Sequence, residues 1–302
     1  MTKIALIGYG EVGRILAEDL RAQGHVVAAY DLKLRGELGE TLRQHGLEFG
    51  VTLAASHAQA VAGAEIVVSA VTAPQAVPVA QACAPGLVEG TFFLDFNSAS
   101  PGAKIHAAEI VDAAGGRYVE GAVMTSVPPY RIAVPLLLGG PHAKALEPRL
   151  AALGFKPRVA DERLGVASAT KMCRSVMIKG LEAMVIESFT TARHYGVEDQ
   201  VIASLKETFP GIDWEKQAAY FFQRVIEHGR RRSEEVREVA QTVREAGLEP
   251  FSAAGTAERQ AWVADLAEAG LFGARGEPGF ARSPDWRTEA DRLLASLNRN
   301  KD

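Results

Sequence analysis

Cysteine is scarce in this chain of 302 residues, which has only Cys83 and Cys173 and no Cys-x-x-Cys motif. Two such thiols cannot build a cysteine metal cluster or a disulfide framework, and this pattern is typical of a reduced, intracellular protein. The seven histidines form no His-x-x-x-His or His-Glu pattern. We therefore expect no catalytic metal.

An excess of one charge sign and long apolar runs are also lacking. The 33 Lys and Arg residues and the 37 Asp and Glu residues give a net charge of -4, which argues against a general nucleic-acid or membrane surface. The most apolar region, residues 66–84, is interrupted by polar residues and prolines, so it is too broken to span a membrane. The N-terminus lacks the features of a signal peptide. These observations predict a cytoplasmic protein that binds neither nucleic acid nor membranes.

The first half of the chain alternates short apolar runs with helical patterns. At about 150 residues per domain, the length predicts two domains. Continuous apolar runs suit parallel strands covered on both faces, and strand–helix alternation is typical of a doubly wound α/β sheet. We therefore predict a Rossmann domain, with a doubly wound and mostly parallel sheet, over residues 1–162. Its predicted strands are residues 3–7, 25–30, 66–71, 92–96 and 133–138.

The second half of the chain has a different pattern. Residues 165–194 contain no proline and few turn signals, which predicts one long helix. We predict an all-α C-terminal domain over residues 163–302. Its later helices are predicted at residues 234–246, 257–269 and 286–297, the last of them after a Gly/Pro-rich connection at residues 270–284.

A glycine motif follows the first predicted strand and opens a helix. Residues 8–13 read Gly-Tyr-Gly-Glu-Val-Gly, the G-x-G-x-x-G pattern of dinucleotide-binding turns. The first glycine permits a tight turn, the second lets the backbone approach a pyrophosphate, and the third allows close packing of helix on strand. The helix N-terminus offers free N–H groups to the phosphates. The alternative is a glycine-rich turn without a ligand. The residues assigned to cofactor binding are Gly8, Tyr9, Gly10, Glu11, Val12 and Gly13.

Asp31 ends the second predicted strand, about 20 residues beyond the glycines, where a carboxylate accepts hydrogen bonds from a ribose 2′-hydroxyl. A carboxylate at this position repels a 2′-phosphate, which favours NAD over NADP as the cofactor. Lys33 and Arg35 follow closely and are able to hold such a phosphate, so NADP stays open. The alternative for these two residues is a solvated loop.

Two further segments carry polar residues in a recognisable order. Residues 94–101 read Leu-Asp-Phe-Asn-Ser-Ala-Ser-Pro, and residues 165–175 read Gly-Val-Ala-Ser-Ala-Thr-Lys-Met-Cys-Arg-Ser. Together with the glycine turn, they resemble the β-hydroxyacid dehydrogenase superfamily, which includes 3-hydroxyisobutyrate dehydrogenase, 6-phosphogluconate dehydrogenase and the imine reductases. The resemblance covers residues 3–195. The C-terminal segment looks like a less characterised branch related to 6-phosphogluconate dehydrogenase.

The resemblance implies roles at the end of the predicted strand 92–96. In the family, an Asp-x-Ser-Thr-x-x-Pro-like segment lies beside the nicotinamide, and here Asn97 and Ser98 occupy the polar pair. The resemblance assigns Val71, Thr72 and Asn97 to cofactor binding and Ser98 to substrate binding. Asn97 and Ser98 are also able to cap the helix predicted near Pro101, and both roles can hold together.

The long predicted helix begins with the family pattern Gly-x-Gly-x-x-x-Lys-x-x-Asn-Asn, which places the catalytic lysine at Lys171 as a general acid/base. Helical spacing puts Lys171, Ser175 and Lys179 near one face, with Arg174 beside them. A polar stripe on an otherwise apolar helix is costly unless it lines a site. We assign Arg174, Ser175 and Lys179 to substrate binding. The alternative is a structural helix in which Lys179 pairs with Glu182.

The segment that matches the family's substrate loop departs from the family pattern. The Ser-Gly-Gly that binds a substrate carboxylate is replaced by Met124, Thr125 and Ser126, which we assign to substrate binding. Thr125 and Ser126 still offer hydroxyl and amide donors. Arg174 stands where the family has its first asparagine, and an arginine clamps a carboxylate or phosphate bidentately. We therefore expect an anionic small-molecule substrate. Tyr130 either closes over this substrate or belongs to a rigid surface turn.

A basic cluster at residues 230–232 is the remaining charged feature. Arg230 and Arg231 each have a glutamate four residues later, Glu234 and Glu235, which predicts a self-paired, solvated helix face. The alternative is that one of these arginines reaches an anionic substrate.

The resemblance as a whole implies an NAD(P)-dependent oxidoreductase that transfers a hydride between nicotinamide and a 3-hydroxy-acid-like substrate. It also implies a homodimer. Imine reduction on the same fold and a non-catalytic dinucleotide-binding sensor are the alternative functions.

Overall fold

A computed structural model gives the fold of the chain and describes residues 1–277, 279–281 and 285–299. Parts of the predicted connection at residues 270–284 and the predicted domain end at Asp302 lie outside the described residues. The chain divides into two compact units, Met1–Met172 and Cys173–Asp302. The division falls inside a long helix, whereas the sequence-based boundary stands before that helix.

The first unit is built on one eight-stranded sheet with the strand order β3-β2-β1-β4-β5-β6-β7-β8. Neighbouring strands are parallel except for the antiparallel pair β6 and β7. The order reverses between β1 and β4, which makes this the point where doubly wound sheets bind ligands. The strands are β1 (Lys3–Ile7), β2 (Val26–Tyr30), β3 (Thr52–Leu53), β4 (Ile66–Ser69), β5 (Phe92–Asp95), β6 (Arg117–Val123), β7 (Pro135–Gly139) and β8 (Lys156–Asp161).

Helices connect these strands, as the alternating sequence pattern predicts. The five predicted strands are confirmed as β1, β2, β4, β5 and β7, and every residue of β4 and β5 is buried. The doubly wound, mostly parallel sheet is therefore confirmed. The helices are α1 (Glu11–Ala22), α2 (Gly39–Phe49), α3 (His57–Val61), α4 (Ala76–Cys83), α5 (Pro101–Ala113), α6 (Ala143–Ala152) and the first turns of α7 (Val166–Tyr195).

In the part of the second unit that the structure describes, the regular elements are helices, which confirms the predicted all-α region. It contains the rest of α7, followed by α8 (Glu198–Thr208), α9 (Trp214–Glu245), α10 (Phe251–Glu268) and α11 (Trp286–Arg299). Its core packs Phe189, Trp214, Phe222 and Trp286 together. Within the described ranges, no helix is both long and apolar enough to cross a membrane.

Candidate active site

The glycine turn between β1 and α1 shows which glycines the protein itself requires. Gly8 has a φ of +93°, and a Cβ there would lie 2.3 Å from the carbonyl oxygen of Ala70. A Cβ on Gly13 would lie 2.0 Å from the carbonyl oxygen of Gly8. A Cβ on Gly10, in contrast, would have no protein atom within 4 Å. The open side of Gly10 therefore fits a pyrophosphate that approaches the backbone, as in dinucleotide sites.

The other residues of the turn contribute in different ways. Tyr9 is fully buried, and its hydroxyl bonds to Nδ1 of His45 at 2.8 Å, so only its backbone faces the turn. Burial raises the pKa of Tyr9 to about 12. Glu11 is exposed in the first turn of α1, and Val12 is half-buried. The side chain of Tyr9 thus holds the turn against α2, while the α1 N-terminus is left to a ligand.

Asp31 lies at the carboxyl end of β2, where the sequence places the ribose-binding carboxylate. Its Oδ2 accepts the backbone N–H of Tyr9 at 2.7 Å, and its Oδ1 accepts that of Lys33 at 2.8 Å. The carboxylate is therefore fixed beside the glycine turn. His57 is a neighbour that the sequence analysis missed, and its ring packs edge-on against Tyr30 at 4.6 Å. Burial and the charge of Arg35 lower the pKa of His57.

Asp31→Asn is expected to shift cofactor preference towards NADP. The substitution removes the negative charge and one of the two hydrogen bonds that the Asp31 carboxylate accepts, so the repulsion of a 2′-phosphate falls by about 1 kcal/mol or more. We expect the ratio of the NADP and NAD dissociation constants to change by about tenfold in favour of NADP. Titration calorimetry measures both constants, and the matched control is Glu48→Gln, which removes an exposed carboxylate of α2 in the same unit. An unchanged ratio would show that Asp31 does not set cofactor preference.

The loops after β4 and β5 are tied together by Asn97. Its Oδ1 accepts the backbone N–H of Val71 at 2.7 Å, and its Nδ2 donates to Oγ of Ser69 at 3.0 Å. Val71 is half-buried and Thr72 is exposed. The prediction that Asn97 or Ser98 caps α5 is wrong. Ser100 is the cap, because its Oγ accepts the backbone N–H of Ala103 at 3.3 Å.

A buried ion pair that the sequence analysis missed holds the same loop. Nζ of Lys104 lies 3.0 Å from Oδ1 of Asp95 and donates to the Asp95 carbonyl oxygen at 2.9 Å. Oδ2 of Asp95 accepts the hydroxyl of Tyr118 at 2.7 Å, and Oδ1 accepts the backbone N–H of Asn97 at 2.8 Å. Burial and the Asp95 charge raise the pKa of Tyr118 well above its usual value. This cluster fixes the backbone that leads to Ser98.

Lys104→Met is expected to lower the free energy of unfolding by about 3–5 kcal/mol, because it leaves Asp95 buried without its cation. Urea denaturation measures this change. Adding Asp95→Asn to Lys104→Met should recover part of the loss. The matched control is Lys144→Met, which breaks the exposed pair with Glu162 and is expected to have little effect. Equal stability of the two single variants would contradict a structural role for the buried pair.

Lys171 and Ser98, which the sequence assigns to separate roles, are in contact. Nζ of Lys171 donates to Oγ of Ser98 at 2.6 Å. Both side chains are half-buried. Ser98 follows β5, and the carboxyl ends of the parallel strands β1, β4 and β5 share one edge of the sheet. The candidate proton-transfer lysine therefore lies at the edge that carries the glycine turn.

The candidate substrate loop follows β6, the next parallel strand at this edge. Met124 is half-buried against a small apolar cluster, whereas Thr125 and Ser126 are exposed. Tyr130 is 52% exposed. The next residue, Arg131, holds the turn on α1 through ion pairs to Glu18 and Asp19 of 2.7 and 2.8 Å. These contacts favour the rigid surface turn over a mobile cover for Tyr130.

The remaining predicted substrate residues lie in the second unit. Lys179 is buried, and its Nζ pairs with Oε2 of Glu235 on α9 at 2.6 Å. Burial lowers the pKa of Lys179. The predicted pair of Lys179 with Glu182 is wrong, because Glu182 pairs with Arg232. The apolar residues of α7 are not all buried. Ser175 and Lys179 of the polar stripe are buried instead, and two methionines of the same helix are exposed. Ser175 is buried and Arg174 is exposed, while Met177 and Met184 are 72% and 61% exposed.

The three arginines of the basic cluster on α9 are all paired, but only one of them pairs as its spacing predicts, and Arg232 is buried against Glu182. Arg231 pairs with Glu235 at 2.8 Å, which confirms one predicted pair. The predicted pair of Arg230 with Glu234 is wrong, because Arg230 binds Asp265 and Glu268 of α10. These contacts occupy the cluster's charges within the unit. Among the described residues, no group of three His, Cys, Asp or Glu side chains has the arrangement of a metal site.

Two family models match the chain, one in each of its two compact units. The family model for the NAD binding domain of 6-phosphogluconate dehydrogenase matches residues 3–154, which is half of the chain. A domain of unknown function (DUF1932) matches residues 192–263. The first match covers strands β1 to β7 and the glycine turn, and the second lies in the helical unit.

Individual relatives point in the same direction. The chain is similar to a conserved hypothetical protein from Sinorhizobium meliloti 1021, with a TM-score of 0.77 and 36% identity over 98% of this chain and 96% of that one. It is 27% identical to the 3-hydroxyisobutyrate dehydrogenase of Pseudomonas aeruginosa over 222 residues, 71% of this chain and 72% of that protein. It shares the fold of the 3-hydroxyisobutyrate dehydrogenase of Mycobacterium tuberculosis, solved with L-serine, with a TM-score of 0.68 and 18% identity over 97% and 99% of the two chains. The chain therefore belongs to the family with the NAD binding domain of 6-phosphogluconate dehydrogenase and is related to the 3-hydroxyacid dehydrogenases.

Proposed function

We propose that the protein is an NAD(P)-dependent oxidoreductase that transfers a hydride between nicotinamide and the carbinol carbon of a 3-hydroxy-acid-like substrate. The observation that carries this proposal is the contact of Lys171 Nζ with Ser98 Oγ at 2.6 Å. It holds an amine at the sheet edge that carries the dinucleotide turn. An amine at this position is suited to exchange a proton with a substrate hydroxyl.

The residues of this edge fit the dinucleotide. The open side of Gly10 and the N-terminus of α1 are suited to the pyrophosphate, and Asp31 is suited to the adenosine ribose. Val71, Thr72 and Asn97 follow β4 and β5 and would border the nicotinamide half. When bound, the cofactor supplies the hydride acceptor or donor.

Lys171 is the general acid/base in this proposal. During oxidation it takes the proton of the substrate hydroxyl, and during reduction it returns that proton. Ser98 accepts a hydrogen bond from Nζ, which holds the amine in one place. A fixed amine loses less entropy when the substrate binds, and this favours reaction.

An anionic group on the substrate requires donors close to the reacting carbon. Thr125 and Ser126 are exposed after β6 and offer hydroxyl and amide donors, beside the apolar surface of Met124. In the second unit, Arg174 is a stronger anion-binding candidate than Lys179, because Glu235 already neutralises Lys179. Ser175 stays a prediction, and so does the homodimer that the resemblance implies.

The test is the formation of reduced cofactor from NAD or NADP with a panel of 3-hydroxy acids, including bulky aromatic and phosphorylated ones. The proposal expects absorbance of reduced nicotinamide with at least one acid. Consumption of reduced cofactor only with mixtures of amine and ketone would instead establish imine reduction. Tight cofactor binding with no conversion of any compound would identify a dinucleotide sensor.

A further inference from the structure

Glu120 is a buried carboxylate that none of the roles above uses. It lies on β6, is fully buried, and faces Gly139 on the neighbouring strand β7. A Cβ on Gly139 would lie 2.2 Å from Oε1 of Glu120. Because residue 139 is a glycine, the Glu120 carboxylate has room to lie against strand β7 in the interior of the protein.

The carboxylate receives three hydrogen bonds from the first turn of α7. Oε1 accepts the backbone N–H of Ala167 at 3.1 Å, and Oε2 accepts the backbone N–H of Ser168 at 3.2 Å and the Ser168 hydroxyl at 2.7 Å. The first N–H groups of a helix lack partners within the helix and carry positive partial charge. Glu120 thus compensates the N-terminus of α7, and the helix in turn compensates the cost of burying the charge.

Lys171 lies one turn further along α7, three residues after Ser168, so its position follows from where that first turn is fixed. Its partner Ser98 is fixed separately, through the contacts of Asp95 at the end of β5. Asp95 and Glu120 face each other in the register of β5 and β6. Two buried carboxylates on adjacent strands therefore fix the two ends of the contact between Lys171 and Ser98.

We propose that Glu120 is the positioning residue of Lys171. It anchors the start of α7 so that Nζ of Lys171 reaches Ser98. The inference rests on the proposed function for what Lys171 does in turnover. The anchoring itself is independent of any substrate.

The experiment compares Glu120→Gln with Glu147→Gln in the full-length protein. Glu147 is a matched control, because its carboxylate accepts the backbone N–H of Val159 at 3.2 Å in the same unit, on α6. Acetic anhydride is applied over a range of pH, and mass spectrometry of the peptide that contains Lys171 gives its rate of acetylation. This measures the amine without any turnover.

The proposal expects the midpoint of this pH profile to fall by about one pH unit in Glu120→Gln, which corresponds to about tenfold faster acetylation below the midpoint. Loss of the anchor loosens the hydrogen bond from the Lys171 amine to Ser98, and this bond favours the protonated amine. Glu147→Gln should leave the profile unchanged. An unchanged profile in Glu120→Gln, or an equal shift in both variants, would overturn the proposal.

Ser168→Ala keeps the test valid if Glu120→Gln does not fold. It removes one of the three hydrogen bonds and retains the charge, so a smaller shift in the same direction is expected, and no shift contradicts the anchoring. A shift without turnover of any 3-hydroxy acid would uphold Glu120 as the anchor of Lys171 and refute the proposed function. Turnover of a 3-hydroxy acid without a shift of the pH profile would uphold the proposed function and refute Glu120 as the anchor of Lys171.

Discussion

Lys171→Ala is expected to lower kcat/KM for the hydroxy-acid substrate by about 10²–10⁴-fold, the range typical of a lost general acid/base. The amine that contacts Ser98 is removed, and alanine has no group to replace it. Dinucleotide affinity is expected to change little, because the proposal assigns cofactor binding mainly to the glycine turn and Asp31. Steady-state kinetics and cofactor titration measure the two quantities separately.

Two control variants sharpen this experiment. Lys171→Arg retains a positive charge but remains protonated, so it cannot accept the substrate proton and should also be slow. Lys156→Ala removes an exposed lysine of β8 in the same unit and should retain full activity. Turnover by Lys171→Ala at the rate of the unmodified protein, with the fold intact, would remove Lys171 from the mechanism.

Gly10→Ala and Gly13→Ala are expected to separate cofactor binding from folding. A Cβ on Gly10 meets no protein atom within 4 Å, and the residue has an ordinary φ of -78°, so alanine should fold normally. The methyl group would occupy the space for the pyrophosphate. We expect the dissociation constant of NAD to rise by about tenfold or more, or at least about 1.4 kcal/mol of binding free energy.

Gly13→Ala should instead mainly lower the stability of the fold. Its methyl group would lie 2.0 Å from the carbonyl oxygen of Gly8, and this backbone atom cannot move aside as a side chain does. We expect the free energy of unfolding to fall by about 1–3 kcal/mol, the usual range for overpacking. Thermal denaturation and NAD titration of both variants provide the comparison. Equal stability with equal loss of affinity would show that Gly10 and Gly13 do not have distinct roles.

Local patterns were sufficient to predict the sheet and the glycine turn. Buried parallel strands read as continuous apolar runs, and the glycines reflect constraints between residues close in the chain, as the contact between Gly8 and Gly13 shows. The catalytic role of Lys171 was predicted from a motif at the start of a helix, and it stays a prediction. The contact of Lys171 with Ser98, 73 residues earlier in the chain, depends on how the fold brings the two segments together, so neither segment alone predicts it.

The partners of buried charges were not predictable in the same way. Helical spacing suggests that Lys179 pairs with Glu182 and that Arg230 pairs with Glu234, because the sequence reveals neighbours within one helix but not between helices. In the folded unit, Lys179 pairs with Glu235 of α9, and Arg230 pairs with Asp265 of α10. Both partners lie on a different helix from the cation that they bind. Glu120 carried one signal, a carboxylate between the apolar and small residues in the middle of β6.

The most direct test of the central claim is deuterium transfer from the substrate to the cofactor. A 3-hydroxy acid that carries deuterium on its carbinol carbon is incubated with the protein and NAD, and mass spectrometry gives the mass of the reduced dinucleotide. Hydride transfer predicts one deuterium per reduced dinucleotide, and Lys171→Ala should form this labelled dinucleotide about 10²–10⁴-fold more slowly. Reduced dinucleotide without deuterium, or no reduction with any 3-hydroxy acid, would contradict the proposed function.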